Sequence, residues 1–162
     1  MKATAEYERS ETEDESLRCF AFQSGDGAHH VGVYDNGGGD QIVTLLGADW
    51  AVLLGFDHES SISPYGNDDM SLAPGMYEGM PDALRARALA YFEGRDPMVT
   101  FCLWRRQSDE GWHRGVAYDD DGSDWLLDML PISLDALLAW GADYYEDEFD
   151  EEAARTIYAR HT

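Results

Sequence analysis

A chain of 162 residues, 44% of them hydrophobic, is long enough to bury one ordinary core, and its five Trp, nine Tyr and six Phe exclude a disordered acidic polymer. Thirty-three Asp plus Glu against eleven Lys plus Arg leave a formal net charge of −22, which disfavours nucleic acid as a direct ligand because phosphates are repelled, and favours basic proteins and cations. No apolar run approaches the roughly 18 residues of a membrane span, and the N-terminus lacks the basic patch and apolar stretch of a signal peptide, so no membrane partner and a cytoplasmic location are expected.

Residues 1–16, "MKATAEYERSETEDES", hold six acids, two bases and no apolar periodicity, which reads as a flexible acidic tail or frayed helix contributing little to the core. A single domain is expected over 17–162. "LRCFAFQS" (17–24) and "HHVGVYDN" (29–36) are rich in β-branched and aromatic residues and flank "GDGA", the pattern of a hairpin. After the break "GGGD", "QIVTLLG" (41–47) and "WAVLLGFD" (50–57) form a second hairpin. From Ser60 to Pro81 three prolines and several glycines without a sustained period predict a long loop, a kind of segment that commonly carries function.

"MPDALRARALAYFEGRD" predicts a helix with Pro81 in its first turn, Asp82 at the positive end of the dipole, Leu84, Ala88 and Tyr91 or Phe92 on one face, and Gly94 as its stop. "PMVTFCLWRR" and "GWHRGVAYDD" predict a third hairpin around "QSDE". Three helices close the chain: "SDWLLDML" capped by Ser123 or Asp124, "SLDALLAWGADYYED" capped by Ser133, and "DEEAARTIYARH" with its acids first and Arg155, Arg160 and His161 late. In the second of these, spacing turns Leu137, Trp140 and Tyr144 inward and leaves Tyr145, Glu146 and Asp147 outward. The expected fold is α+β: an antiparallel sheet of about six strands in hairpins, one middle helix, and C-terminal helices packed on the sheet. Cys19 and Cys102 both sit in apolar strand-like segments and read as reduced core residues.

Charge is polarised along the chain. Tyr118 through Glu152 contains thirteen acids and no Lys or Arg, whereas Arg85 through Arg114 holds six of the eleven basic residues. Six Arg cannot neutralise thirteen acids, so a surplus faces solvent, ions or a partner, and a surface of one sign speeds encounter with the opposite sign.

The stretch "GFDHESSISPYGNDD" (55–69) offers the strongest candidate for metal or acid/base chemistry. In an unbroken strand Asp57 and Glu59 would point to one face and His58 to the other; only if the strand stops at Asp57 do Asp57, His58 and Glu59, with Asp68 or Asp69, come within reach of one divalent ion or proton. The zinc-helix pattern His-Glu-x-x-His is absent, because Ile62 stands three residues beyond Glu59. His29 and His30, adjacent in a strand, point apart, so at most one can join His58. "AYDDDGSDWLLD" imitates a calcium loop at Asp119, Asp121 and Gly122 but has Ala117, Asp124 and Asp128 where the loop needs an acid, an apolar residue and a bidentate Glu. No nucleophile elbow, phosphate-binding loop or dinucleotide fingerprint is present, so no catalytic residue and no cofactor is assigned.

What remains is acid mixed with aromatic residues, the composition of an interface for a basic protein. The expected contact set is Asp119, Asp120, Asp121 and Asp124 from "DDDGSDW", Tyr145, Glu146, Asp147, Glu148 and Asp150 from "YYEDEFD", and Tyr65, Asp68 and Asp69 from the long loop.

"FDHESSISPY", "VTFCLWRR" with its following "GW", and "YYEDEFDEE" together resemble segments of small acidic bacterial proteins, some of the toxin-immunity type. "MLPISLDALLAWG" has the Leu-Pro of the commonest immunity superfamily without its Asn-Gly. The resemblance implies a protein that neutralises a cognate toxin, and it brings no catalytic residues and no settled fold; the uncompensated acids from Tyr118 to Glu152 lead to the expectation of a non-enzymatic protein that occludes a basic partner, a toxin or nuclease. The alternatives are a metal-assisted hydrolase built on Asp57, His58 and Glu59, and a structural or regulatory domain whose acidity serves solubility.

Overall fold

The computed structural model describes residues 1–24, 29–92 and 98–162; the predicted "GDGA" turn and the Gly94 stop lie outside them. Six strands, β1 (Phe20–Ser24), β2 (His30–Asp35), β3 (Gln41–Leu46), β4 (Trp50–Phe56), β5 (Phe101–Arg106) and β6 (His113–Arg114), form one sheet in the order β1-β2-β3-β4-β5-β6. Every neighbouring pair is antiparallel, so the sheet is a meander, and the expected α+β architecture is the observed one.

The sheet is covered on both faces. Val43, Leu45, Val52, Leu54 and Trp104 pack against α2 (Asp82–Tyr91) and the loop before it, through Met76, Met80, Leu84 and Ala88. Phe20, Ile42, Leu53 and Phe101 face the other way, toward α1 (Lys2–Glu11), α3 (Ser123–Leu126) and α4 (Leu134–Tyr145), with α5 (Glu151–Ala159) closing an outer cluster around Tyr7, Leu137 and Ile157. A strand buried on both faces needs no alternation, which is why "VLLGF" in β4 is uninterrupted apolar sequence. Among the described residues no single helix is long and apolar enough to cross a membrane.

Three local expectations are corrected. The N-terminal sixteen residues are not a tail outside the core: residues 2–11 are helical, and Ala5, Tyr7 and Glu8 are wholly buried. The buried face has little hydropathy to reveal it, since beside Tyr7 it consists of the small residues Ala3, Thr4 and Ala5 and the Glu8 carboxylate. The predicted strand over 111–120 shrinks to His113–Arg114. Beyond it Val116 donates its N–H to the Gly75 carbonyl at 3.0 Å, and Gly115 lies so close to the Gly75 and Met76 backbone that a side chain has no room. Finally, Tyr145 rather than Tyr144 turns inward, its ring edge-on to Tyr7 at 5.6 Å, while Tyr144 is exposed and stacks on Trp140 at 5.3 Å. Tyr145 lies four and eight residues beyond the buried Gly141 and Leu137, so the inward stripe of α4 runs through it rather than through Tyr144, and the helix ends there, where Glu146, with φ of 50°, redirects the chain.

Cys102 is buried and Cys19 half-buried, and both are free thiols; burial pushes the Cys102 thiol up to about 12. A thiol so placed is an inert core residue.

Candidate functional site

Strand β4 stops at Phe56, and the chain turns at once: the Ser60 N–H donates to the Asp57 carbonyl at 3.4 Å. This is the condition under which Asp57 and His58 escape strand alternation. Two side chains from distant segments hold the turn. Thr100, wholly buried just before β5, accepts the Asp57 N–H at 3.0 Å and donates its hydroxyl to the Asp121 carbonyl at 2.8 Å. Trp125 donates its indole N–H to Asp57 Oδ2 at 3.0 Å, and Asp57 Oδ1 accepts the Glu59 N–H at 3.0 Å.

Opposite stands Asp40, at the end of the glycine turn between β2 and β3. Asn36 Oδ1 accepts from the Gly38 N–H at 2.8 Å and the Asp40 N–H at 3.1 Å, folding "NGGGD" on itself. Gly39, at φ 112°, lies against the His58 ring, a conformation and a spacing that suit glycine. Asp40 Oδ1 accepts the His58 backbone N–H at 2.9 Å and sits 2.7 Å from ring Nδ1, while Oδ2 accepts from the Asn36 amide at 2.7 Å.

Burial opposes ionisation of Asp40, but the His58 backbone and ring donors and the Asn36 amide outweigh it and hold the carboxyl below its ordinary value. The hydrogen bond to Asp40 in turn raises the His58 imidazole above its ordinary value, with the charges of Asp40, Glu59 and Asp57 adding to it. These carboxylates thus stabilise the imidazolium relative to the neutral ring, with Nδ1 2.7 Å from Asp40 Oδ1 and Nε2 3.9 Å from Glu59 Oε1.

One potential ligand atom from each of Asp40, Asp57 and His58 lies within 4.8 Å of the others. Asp40 was missing from the sequence reading; the only signal for it was the Asn-Gly-Gly-Gly-Asp turn, and nothing local connects that turn to His58 eighteen residues on. Asp68 and Asp69 do not enter this group, and Asp69 instead closes its own turn by accepting the Ser71 N–H at 3.1 Å. His30 stacks on Phe22 and His29 leans on Trp50, so neither joins His58.

The aspartate-rich segment 119–124 docks on this turn. Ser60 donates its hydroxyl to the Asp120 carbonyl, and the Ser61 N–H donates to Asp120 Oδ2 at 2.9 Å, which holds that carboxyl below its ordinary value. Gly122, at φ 77°, packs against Asp57, where a Cβ would collide. Asp121 does not belong in a contact surface: it is buried, pairs with Arg114, and accepts the N–H groups of Ser123 at 3.0 Å and Tyr118 at 3.4 Å. Asp119, Asp120 and Asp124 stay exposed beside the partly exposed Trp125.

The remaining acids of the expected set lie elsewhere in the fold. Glu146, Asp147 and Glu148 form an exposed 3-10 turn after α4, and Asp150 caps α5 by accepting the Ala153 N–H at 2.9 Å. Tyr65 is exposed on the long loop, its ring edge-on to Phe56 at 5.6 Å. Comparison of the chain with protein-family models, curated proteins and solved structures finds no match in any of the three.

Proposed function

We propose that this protein is a non-enzymatic acidic binder that occludes a basic protein partner, in the manner of an immunity protein that covers the cationic surface of a nucleic-acid-cleaving toxin. One observation carries the reading. Of the thirteen acids between Tyr118 and Glu152, Asp121 and Glu151 alone have an ion-pair partner among the described residues, while Asp119, Asp120 and Asp124 stand exposed on a loop pinned to the rigid end of β4. Carboxylates held by the scaffold lose little entropy when a cationic surface arrives, and a half-exposed indole among them supplies an aromatic anchor.

The test is capture of the partner from source-cell lysate at low salt, followed by titration of the identified protein. Affinity is expected to fall about tenfold or more between low and high salt, and neutralising Asp119 and Asp124 together to Asn is expected to weaken binding and flatten the salt dependence. Binding that ignores both changes would sink the proposal.

A second reading rests on the Asp40, Asp57 and His58 grouping, which has the mixed nitrogen and oxygen donors of a divalent-metal site and extends the metal-assisted hydrolase alternative. It ranks second because each carboxylate already accepts hydrogen bonds from the protein and His58 Nδ1 is engaged by Asp40. Titration with Zn²⁺ or Mn²⁺ separates the readings: the metal site requires binding that His58→Ala and Asp40→Asn abolish and Glu59→Gln spares. Millimolar binding indifferent to His58 removes it.

A further inference from the structure

An apolar cavity of about 480 Å³ lies between the sheet and the ends of α1 and α5, remote in sequence from the His58 turn. Its floor is a row of the sheet: Phe22, Gly32, Thr44 and Leu53 stand side by side on β1 to β4, and Leu46 lies two residues further along β3. Gly32 has no side chain, and the Met1 thioether fills the space above it, so the floor stays apolar. Leu130, Pro131 and Ile132, from the connection between α3 and α4, form a wall, and Trp112, from the turn between β5 and β6, forms another part of the lining.

Three observations give this cavity the character of a binding site. Apolar surface is left in water around it, since Ile132 is 87% and Trp112 50% exposed. Thr44, on the floor, keeps its hydroxyl oxygen buried with no hydrogen-bond partner, an arrangement that costs free energy until a polar atom arrives. The third is charge. In a chain with thirty-three acids, no Asp or Glu is among the lining residues, whereas Lys2, the single lysine of the sequence, is. Its Nζ rests 5.8 Å from the Phe22 ring centre and pairs with no carboxylate among the described residues. The other cationic groups of the lining are engaged, His161 by Glu6 through Nε2 at 2.7 Å and the Met1 ammonium by the Pro131 carbonyl at 3.4 Å, which leaves Lys2 as the cation without an oxygen partner among the described residues.

We infer that this cavity binds a medium-chain carboxylic acid bearing a hydroxyl or keto oxygen on its chain, with the alkyl body on the sheet, the carboxylate at Lys2 and the second oxygen at Thr44. The volume falls in the range of small-molecule sites, which bury an apolar body and orient it with few polar groups. A cationic amphiphile is attracted by the net charge of −22 but meets the wrong local group, so the sign of the preferred headgroup discriminates between a specific site and general attraction.

The experiment is a titration of the full chain, followed by calorimetry and by NMR of leucine methyl groups, with 3-hydroxydecanoate, decanoate and decyltrimethylammonium, each below its micelle concentration. The hydroxy acid is expected to bind best and to shift the Leu46 and Leu53 methyl signals. Lys2→Glu, at an exposed side chain that the fold does not need, is expected to weaken it about tenfold or more, and Thr44→Val to abolish its advantage over decanoate. The inference is overturned if the cationic amphiphile binds the native chain as tightly, if Lys2→Glu leaves the carboxylates unaffected, if the chain hydroxyl confers no Thr44-dependent advantage, or if the shifts fall away from the sheet floor.

Discussion

Glu8→Ala is expected to lower the unfolding free energy by about 2–6 kcal/mol, the cost of stranding one buried and one partly buried backbone donor at roughly 1–3 kcal/mol each. Glu8 is wholly buried on α1, and its two carboxylate oxygens accept the N–H groups of Cys19 at 2.8 Å and Phe20 at 2.6 Å. Those donors begin the edge strand β1, whose outer side has no further strand to satisfy them. The side chain thus joins the first helix to the first strand across eleven or twelve residues of sequence. The same burial raises the Glu8 carboxyl to about 6, with the two backbone bonds and Arg18 opposing the rise. A carboxyl whose folded value exceeds its unfolded value binds its proton more tightly in the folded state, so its contribution to stability declines as pH rises from about 4.5 through about 6. The decline amounts to about 2 kcal/mol. Urea denaturation of native chain and Glu8→Gln at several pH values isolates this term: the difference between them should shift against the native chain across that window. A difference independent of pH would show that Glu8 does not titrate between those limits.

Asp121→Ala is expected to cost about 2–4 kcal/mol, because it removes one partner of a mostly buried ion pair and frees two backbone donors at once. Asp121 is 4% exposed, and Arg114, Ser123 and Tyr118 all donate to it. Arg114 is partly exposed, so water compensates some of its loss and the figure stays below that of a fully enclosed pair. The neighbouring Asp119→Asn and Asp124→Asn, at exposed positions, should change stability by no more than about 0.5 kcal/mol. Thermal or urea unfolding of the three variants checks the contrast. Equal effects at all three positions would mean that Asp121 does not anchor the loop. The contrast also protects the binding experiment, since a weakened partner complex in the Asp119 and Asp124 variants then reflects lost charge rather than an unfolded loop.

Much of the fold was legible because it is encoded between neighbours. Strand alternation, the glycine breaks and the Ser133 cap that accepts the Ala136 N–H at 3.1 Å each depend on residues within a turn or two of one another. Net charge and its concentration after Tyr118 follow from composition alone. The same local information placed Asp57, His58 and Glu59 in one stretch and required that the strand end there for Asp57 and His58 to meet, which it does at Phe56.

What the sequence could not determine were the juxtapositions across the fold. Asp40 reaches His58 because the β2–β3 turn and the end of β4 share one end of an antiparallel sheet, a consequence of register. Asp121 turns inward while Asp119 and Asp120 turn outward because Thr100 and Arg114, on other segments, hold that one position. Residues 2–11 become core because Glu8 finds unpaired donors on an edge strand and Tyr7 finds Tyr145 and Phe149, partners more than a hundred residues away. The local residue pattern thus determined the fold class, and composition the net charge. Tertiary packing alone decided which carboxylates became structure and which remained exposed, since burial and partnership are properties of neighbours in space.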